Sequence, residues 1–322
     1  MLSSTLRAAL VAFVLVLSAC NSSEKKRIAV IPKGTSSIFW ISVHAGAAAA
    51  GQKFGVDILW NGAPAETDYD RQMQILDSMI AQHVDGIAIA ASERQALNQS
   101  LDRAALLGIP VTVFDSAVDS SKYLTFVATD NYEAGRMAAR ELARLVGGQG
   151  SVAVLMHAPG SASTMDRERG FDDVMKADFP KIQIVARQFG MSDRAKSRAA
   201  AENIFTAHPD LNGFFASAEP ASIGVALAIK SRGLSGKVKF VAFDSSDSMI
   251  EDLKGGTIDA LVVQDPFHMG YEAVQTLVDK LHGSTPPKRI DLAARVVRRT
   301  DLDKPEIHEL LFPTVAKYLG TK

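Results

Sequence analysis

Short apolar runs alternate with longer segments of helical periodicity along most of this 322-residue chain. The runs are continuously apolar, as in strands that are buried on both faces of a parallel sheet. In the segments between them, apolar residues recur every three or four positions, which is typical of amphipathic helices. Regular alternation of strand and helix predicts an α/β fold in which helices cover both faces of parallel sheets.

The pattern occurs twice, which predicts two similar Rossmann-like lobes. In the first series we predict strands at 28–32, 56–60, 86–90 and 110–114, with helices at 39–53, 68–81 and 95–107. In the second we predict strands at 151–156, 182–186, 213–217, 238–243 and 260–263, with helices at 131–146, 165–177, 194–207, 221–232 and 246–254. A helix at 266–281, a strand at 290–298 and an amphipathic stretch at 306–318 complete the chain. We expect this last stretch to be a helix that packs on one lobe; a partner-binding helix is the alternative. No Gly/Ser-rich or Pro-rich linker separates the series, so we expect short, stiff crossovers.

The N-terminal residues have a different composition. Arg7 is the only charged residue before Glu24, and residues 8–17 are almost wholly apolar. With Leu-Ser-Ala before Cys20, this predicts a signal peptide over residues 1–19. Cys20 is the only cysteine of the chain, and its position resembles the bacterial lipobox, in which the cysteine carries the lipid. We therefore expect a lipid anchor at Cys20 and a polar tether over 20–26; a simple signal peptide that contains a cysteine is the alternative.

The charge balance argues against a polyanionic partner. Lys and Arg total 35 and Asp and Glu total 36, for a formal net charge of −1. A nucleic-acid-binding domain usually carries an excess of basic residues, so we expect no nucleic acid among the partners.

Candidate ligand-binding residues lie in the loops after the predicted strands, because open parallel sheets bind ligands beyond the carboxyl ends of their strands. Their carboxylates, amides, hydroxyls and one guanidinium can orient a polyol by hydrogen bonds, while aromatic faces cover its C–H surface. The candidates are Lys33, Ser37, Phe39, Trp40, Asp115, Arg167, Glu219, Asp244 and Gln264.

Several of these residues have a simpler structural interpretation. Asp115 and Asp244 could cap the helices that follow them, since aspartate is favoured at that position. Phe39 and Trp40 could belong to the core, and Arg167 could be a solvated helix charge. The two aspartates, however, each follow a predicted strand that ends in phenylalanine, Phe114 and Phe243, so the repeat places both at the same edge.

Sequence motifs of enzymes and of bound cofactors are missing. The run Gly147-Gly148-Gln149-Gly150 follows a helix and precedes a strand, the reverse of the order in a dinucleotide-binding loop. The sequence has no phosphate-binding loop, no nucleophile elbow and no histidine spacing typical of a metal site. We therefore expect no enzyme activity, no cofactor and no metal.

An ordered set of short motifs resembles the ribose-binding-protein type of periplasmic sugar-binding proteins. The set runs from about Arg27 to Val297, and its members are Ile28-Ala29-Val30-Ile31-Pro32-Lys33, Phe39-Trp40, Ala45-Gly46-Ala47, Asp85-Gly86-Ile87, Gly108-Ile109-Pro110-Val111, Thr129-Asp130-Asn131-Tyr132-Glu133-Ala134-Gly135, Arg167-Glu168-Arg169-Gly170-Phe171, Thr206-Ala207-His208-Pro209-Asp210, Val241-Ala242-Phe243-Asp244 and Val263-Gln264. The resemblance implies a type I periplasmic-binding-protein fold with two lobes joined by hinge crossovers. It also implies ligand contacts at all of the candidates above except Glu219, which neighbours a position, Ala218, where those proteins carry asparagine.

The resemblance implies a division of the chain and a mechanism of hinge closure. The N-terminal lobe would comprise 27–127 plus 265–293, and the C-terminal lobe and tail 128–264 plus 294–322. Crossovers would lie near 127–129, 264–266 and 294–297. Ser116, Ala218 and Lys33 depart from the ribose-binding pattern, so the expected ligand is a monosaccharide, a sugar derivative or a polyol, and not specifically ribose.

The implied function is that of a monomeric, extracytoplasmic solute-binding lipoprotein that delivers its ligand to the permease subunits of an ABC transporter. One alternative is a binding protein that presents sugar to a chemoreceptor or sensor kinase. A second is an exported enzyme on a Rossmann-like fold. Neighbouring transporter or kinase genes would discriminate between transport and sensing, and turnover of the ligand would identify an enzyme.

Overall fold

Two six-stranded sheets organise the computed structural model, which describes residues 25–320; the expected signal peptide, Cys20 and most of the tether lie outside them. The strands are β1 (Arg27–Ile31), β2 (Asp57–Trp60), β3 (Gly86–Ile89), β4 (Val111–Phe114), β5 (Thr125–Thr129), β6 (Gly150–Met156), β7 (Ile182–Phe189), β8 (Gly213–Ala216), β9 (Lys239–Phe243), β10 (Ala260–Val263), β11 (Arg289–Leu292) and β12 (Arg295–Arg298). The first sheet has the order β11-β5-β4-β3-β1-β2, and the second has the order β12-β10-β9-β8-β6-β7. Every strand pair is parallel except β10 with β12, which are antiparallel.

Helices connect the strands and cover both faces of each sheet. They are α1 (Ile38–Phe54), α2 (Tyr69–Ala81), α3 (Asn98–Leu106), α4 (Asn131–Leu145), α5 (Ala162–Asp178), α6 (Arg194–Ala207), α7 (Glu219–Ser231), α8 (Asp247–Lys254), α9 (Pro266–Leu281), α10 (Pro305–Leu311) and α11 (Val315–Leu319), with a 3₁₀ turn at Arg299–Asp301. We call each sheet, together with the helices packed on it, the first and the second lobe. The predicted α/β class with parallel sheets is confirmed.

Each sheet lies between two hydrophobic clusters. In the first lobe, α1 and α9 pack on one face and α2 and α3 on the other. In the second lobe, α4 and α5 cover one face, and α6, α7, α8 and α10 cover the other. The strands are buried from both sides, which explains why they are continuously apolar in the sequence.

One pair of helices in each lobe packs with its backbones in contact. In the first lobe, a Cβ added at Gly46 of α1 would lie 1.9 Å from the carbonyl oxygen of Phe267, and one at Gly270 of α9 would lie 2.1 Å from that of Val43. In the second lobe, Gly135 of α4 and Gly170 of α5 make the same kind of reciprocal contact. Only glycine allows so close an approach, so these positions hold the two helix pairs in place.

The segment predicted as a single strand at 290–298 is instead two strands in different sheets. β11 pairs with β5 in the first sheet, and β12 pairs with β10 in the second. Residues 293 and 294 therefore cross between the lobes, because an apolar-rich run shows strand propensity but not where the strand changes sheets. Two other crossings lie between β5 and α4 and between β10 and α9.

The C-terminal tail contacts both lobes. Ile307 and Leu311 of α10 are buried in a cluster of the second lobe, whereas α11 packs on α1 of the first. The amphipathic stretch at 306–318, expected as a single helix on one lobe, is interrupted at Phe312–Thr314. Pro313 lacks a backbone N–H and restricts the residue before it, so the helix ends there.

A buried carboxylate joins the last strand to the second lobe. The side chain of Glu141 on α4 is 4% exposed and accepts hydrogen bonds of 2.7–3.1 Å from Arg144 and Arg298. Burial opposes ionisation of Glu141, but the two guanidinium groups outweigh it and lower its pKa to about 2. Arg298 ends β12, so this carboxylate fixes the edge strand against α4.

No helix within residues 25–320 combines the length and the apolar character needed to cross a membrane.

Candidate functional site

A cavity lies between the lobes, where the carboxyl ends of strands from both sheets face each other. The open space among its lining residues, including the part that merges with solvent, is about 310 Å³. All nine candidates from the sequence line it: Lys33, Ser37, Phe39, Trp40, Asp115, Arg167, Glu219, Asp244 and Gln264. Their roles in binding remain a prediction.

Asp115 and Asp244 occupy equivalent positions at the ends of β4 and β9. Both have left-handed backbone conformations, with φ of 58° and 69°. Non-glycine residues adopt this conformation at an energetic cost, and such strain concentrates at functional sites. Neither aspartate caps a helix that follows it in the chain: α8 begins after Ser246, and β4 leads to β5 without a helix between them. The capping interpretation is therefore wrong for both.

Arg167 projects from α5 into the second-lobe side of the cavity and is 2% exposed, so it is not a solvated helix charge. Its Nε donates to Asn131 Oδ1 at 2.8 Å, and one terminal nitrogen donates to the Ser217 carbonyl at 2.9 Å. The guanidinium carbon lies 4.0 Å from the ring centroid of Phe243. These contacts hold a planar, charged donor in one orientation before any ligand binds.

Asp244 lies at the centre of a polar network in the second lobe. Its two carboxylate oxygens accept from Gln264 Nε2 at 2.7 Å and from the Glu219 backbone N–H at 2.9 Å. Burial raises the pKa of Asp244, and Asp115 raises it further, whereas Arg167, Gln264 and the Glu219 backbone N–H lower it. The network therefore fixes the Asp244 carboxylate in a site where ionisation is costly.

Glu219 begins α7 and is almost fully buried, with 1% of its surface exposed. One carboxylate oxygen accepts from Arg194 at 2.6 Å. Burial raises the pKa of Glu219, Arg194 opposes the shift, and the nearby Asp244 adds to it. Glu219 follows β8, and parallel sheets bind ligands beyond the carboxyl ends of their strands. This rule, which we call the rule of strand carboxyl ends, predicted Glu219 as a candidate, whereas the resemblance to the family did not.

Lys33 follows β1 and bridges the two lobes. Its ammonium lies 2.8 Å from Asp115 Oδ2, and it donates to Ser163 Oγ at 2.9 Å and to Ser161 Oγ at 3.2 Å. An ammonium has three N–H donors, and these three protein acceptors can take all of them. Lys33 thus holds the Asp115 carboxylate in place from the wall of the cavity.

Two aromatic residues at the start of α1 form the first-lobe wall of the cavity. Phe39 and Trp40 meet edge to face, with ring centroids 4.9 Å apart, and both are also part of a hydrophobic cluster of the first lobe. Both side chains therefore belong to the hydrophobic core of the first lobe and also line the cavity. Ser37, just before the helix, contributes a buried hydroxyl to the same wall.

Six lining residues were not among the candidates: Glu66, His157, Ser163, Thr164, Ala218 and Pro220. Glu66 accepts from Trp40 Nε1 at 2.9 Å and lies 3.0 Å from His157 Nε2 across the cleft. Burial opposes ionisation of Glu66, but His157, Lys33 and Trp40 together lower its pKa to about 2. Glu66 lies in the loop after β2, so the rule of strand carboxyl ends could have found it.

Several polar contacts between the lobes involve one segment of the second lobe, 157–163, which follows β6. Besides the contacts of Lys33 and Glu66, the Ser163 backbone N–H donates to Ser116 Oγ at 3.1 Å. The Arg94 N–H donates to the Gly160 carbonyl at 3.1 Å, and the Tyr69 hydroxyl to the Pro159 carbonyl at 3.2 Å. The structure is therefore a closed form, in which the cleft is shut by polar contacts.

Three residues that line the cavity have a buried side-chain atom without a hydrogen-bond partner within residues 25–320: Gln264 Oε1, Glu219 Oε2 and His157 Nδ1. Buried polar atoms are usually paired, so unpaired ones beside a cavity mark places where a ligand can bond. An amide oxygen, a carboxylate oxygen and an unprotonated ring nitrogen all accept, which suits a ligand that carries hydroxyl donors. The part of the chain described here contains no cluster of metal-ligating side chains.

Comparison with known proteins agrees with this architecture. Residues 28–285 match the family described as "Periplasmic binding protein domain". The ribose import binding protein RbsB of Bacillus subtilis is 30% identical over 272 residues, which cover 84% of this chain and 87% of that protein. The D-ribose/D-allose-binding protein of Pseudomonas aeruginosa is 28% identical over 295 residues, covering 86% and 92%.

Solved structures show the same arrangement of lobes. A carbohydrate-transporter solute-binding protein of Agrobacterium radiobacter in complex with D-arabinose superimposes with a TM-score of 0.88 at 34% identity, covering 90% of this chain and all of that one. An ABC-transporter solute-binding protein of Agrobacterium vitis with bound D-fucose gives 0.86 at 35% identity, covering 89% and 100%. On the family match and these relatives, the chain is a member of the periplasmic-binding-protein domain family, with the type I fold.

Proposed function

We propose that this protein is the extracytoplasmic solute-binding component of an ABC importer and that it binds a monosaccharide or polyol between its lobes. The observation that carries the proposal is the cavity itself, which combines an aromatic wall with fixed donors and unpaired acceptors. Hydroxyl groups can both donate and accept, and the C–H face of a sugar packs on aromatic rings. The named relatives that bind ribose, allose, arabinose and fucose support the same ligand class.

Binding would drive hinge closure. Asp115, Phe39 and Trp40 come from the first lobe, and Arg167, Asp244 and Gln264 from the second lobe or its border. A ligand that touches both sets binds the closed form more tightly than the open form and shifts the population towards it. The closed, loaded protein would dock on the permease subunits and release its ligand chemically unchanged.

A thermal-shift screen of the purified protein tests the ligand class. The panel contains D-ribose, D-allose, D-arabinose, D-fucose, D-tagatose and xylitol, with amino sugars, sugar acids and other polyols. A ligand that binds only the folded state raises the Tm with the logarithm of its excess over Kd. A selective rise with a neutral sugar or polyol is expected; a protein shown to be folded and ligand-free that responds to none of them would refute the proposal. Recovery of a chemically altered ligand after incubation would indicate an enzyme instead.

We also propose that the protein is a monomer held at a membrane by a lipid on Cys20. The support is the lone cysteine directly after Leu17-Ser18-Ala19 at the end of an apolar segment. Changing Cys20 to Ala should release the protein from the membrane fraction, because the remaining segment is shorter than a membrane-spanning helix requires. Retention of the variant in the membrane fraction would contradict lipid anchoring.

A further inference from the structure

The residue pair Glu66–His157 spans the cleft at the cavity wall and is distinct from the motif-derived residues. Glu66 comes from the first lobe and His157 from the second, and both side chains line the cavity. The Glu66 carboxylate is shared between two donors: Oε1 accepts from Trp40 Nε1 at 2.9 Å, and Oε2 lies 3.0 Å from His157 Nε2. His157 is 3% exposed, so water has little access to its ring.

The pair determines which nitrogen of His157 carries the proton. The Glu66 side chain presents Oε1 to the Trp40 N–H and Oε2 to His157 Nε2, and a carboxylate oxygen accepts. A ring whose single proton is on Nε2 can donate to Glu66, and its Nδ1 is then an acceptor. Within residues 25–320 this buried Nδ1 has no partner.

We propose that His157 is a specificity-determining residue, whose Nδ1 accepts a hydrogen bond from one hydroxyl of the bound sugar, and that Glu66 is the positioning residue that sets its tautomer. This inference rests on the proposed function. It deepens that function by assigning a protein partner to one hydroxyl of the ligand. The same imidazole ring would bond the ligand through Nδ1 and Glu66 of the opposite lobe through Nε2, so the ligand contact and the contact between the lobes are coupled.

Two substitutions of His157 test the roles of its two ring nitrogens separately. In His157→Gln, the longer amide can still reach Glu66, but nothing remains at the position of Nδ1. In His157→Asn, the shorter amide retains a polar atom near Nδ1 but cannot reach Glu66. Tyr69→Phe is the matched control, because it removes an interlobe hydrogen bond to Pro159 from a side chain that does not line the cavity.

Titration calorimetry measures each protein against the sugar of the panel that binds most tightly and against each of its monodeoxy analogues. In the wild type, one analogue should bind about tenfold or more weakly, since it leaves Nδ1 buried and unpaired. His157→Gln should lose a similar factor for the parent sugar and bind that analogue no worse than the wild type does. His157→Asn should bind all of the sugars more weakly but keep the preference for the parent, and Tyr69→Phe should shift all of them by one small factor.

Uniform weakening of the parent sugar and every analogue by His157→Gln, or unchanged binding, would overturn the inference while leaving the proposed function intact. No binding of any panel member to the wild type would overturn both. Nitrogen NMR of the ring in the sugar-saturated wild type provides a second measurement that needs no variant at position 157. A proton on Nε2 and a bare, hydrogen-bonded Nδ1 are expected, and a proton on Nδ1, with or without one on Nε2, would overturn the assignment.

Glu66→Gln sharpens this measurement. Trp40 Nε1–H can donate only to the amide oxygen, so the amide nitrogen must face His157 Nε2 and donate to it. The ring proton should then move to Nδ1. A ring tautomer that is the same in wild type and variant would show that Glu66 does not set it.

Discussion

Replacing Arg167 by Met should weaken ligand binding severely while leaving the fold intact. Methionine keeps most of the apolar stem that packs near Phe243 and removes the charged fork. The guanidinium has five N–H donors, and two of them bond to Asn131 and Ser217, so three remain for Asp244 and the ligand.

The expected loss follows from these free donors. A hydrogen bond to a charged group contributes about 1.5–3 kcal/mol, so two such bonds to the ligand amount to about 3–6 kcal/mol. At about 1.4 kcal/mol per tenfold change, the affinity should fall by roughly 10²–10⁴. Stability should also fall, by about 1–3 kcal/mol, since Asn131 Oδ1 and the Ser217 carbonyl lose a donor in a buried site.

Titration calorimetry with the best-binding sugar measures the affinity, and urea denaturation of the ligand-free protein measures the stability. Arg169→Met is the matched control on the same helix, because the Arg169 side chain is 63% exposed and contacts Asp166 and the Tyr132 ring at the surface, away from the cavity. A folded Arg167→Met protein that binds within about threefold of the wild type would refute the reasoning, since removing even one such bond costs more.

Three further predictions concern the surroundings of the site. Glu141→Gln should lower the free energy of unfolding by about 1–2 kcal/mol at pH 7, because its arginine partners are half exposed and partly screened. The folded pKa of Glu141 is lowered to about 2, so the difference should be present above pH 4.5 and vanish as the pH falls towards 2; a difference independent of pH in urea denaturation would contradict this. Gly135→Ala should destabilise by about 3 kcal/mol and weaken sugar binding, as its Cβ would lie 2.0 Å from the Arg167 carbonyl oxygen, whereas Gly255→Ala should change neither in the same denaturation and calorimetry experiments. Lys33→Met should weaken sugar binding by about tenfold or more, since it leaves a buried carboxylate unpaired; calorimetry that shows wild-type affinity would contradict the bridging role.

The repeated pattern was sufficient to predict the fold class, because buried parallel strands and amphipathic helices have different periodicities. It could not show where β11 ends and β12 begins, since both strands are short and have similar composition. The interrupted tail was missed because the apolar spacing of 306–318 continues on either side of Pro313. Whether that segment lies on one lobe or on two depends on tertiary packing, which local sequence does not record.

The cavity was predictable to the extent that it obeys the rule of strand carboxyl ends. Asp115 and Asp244 follow directly from that rule, and their left-handed conformations come from the structure alone. Glu66 and His157 were not singled out, because each lies in a loop where several polar residues satisfy the rule equally well. Their pairing depends on how the two lobes face each other, and spacing within one loop carries no information about the opposite lobe.

The order in which the lobes are completed has a consequence for how the chain folds. The first lobe receives α9 and β11 only from residues 266–292, and Gly270 of α9 fits against the backbone of α1. A chain that has been synthesised only as far as β10 therefore lacks part of one face of its first core and one edge of its first sheet. Contacts between segments so distant in sequence make folding slow. Slow completion of the first lobe would keep the nascent chain unfolded for longer, as the proposed export of the protein through a membrane requires.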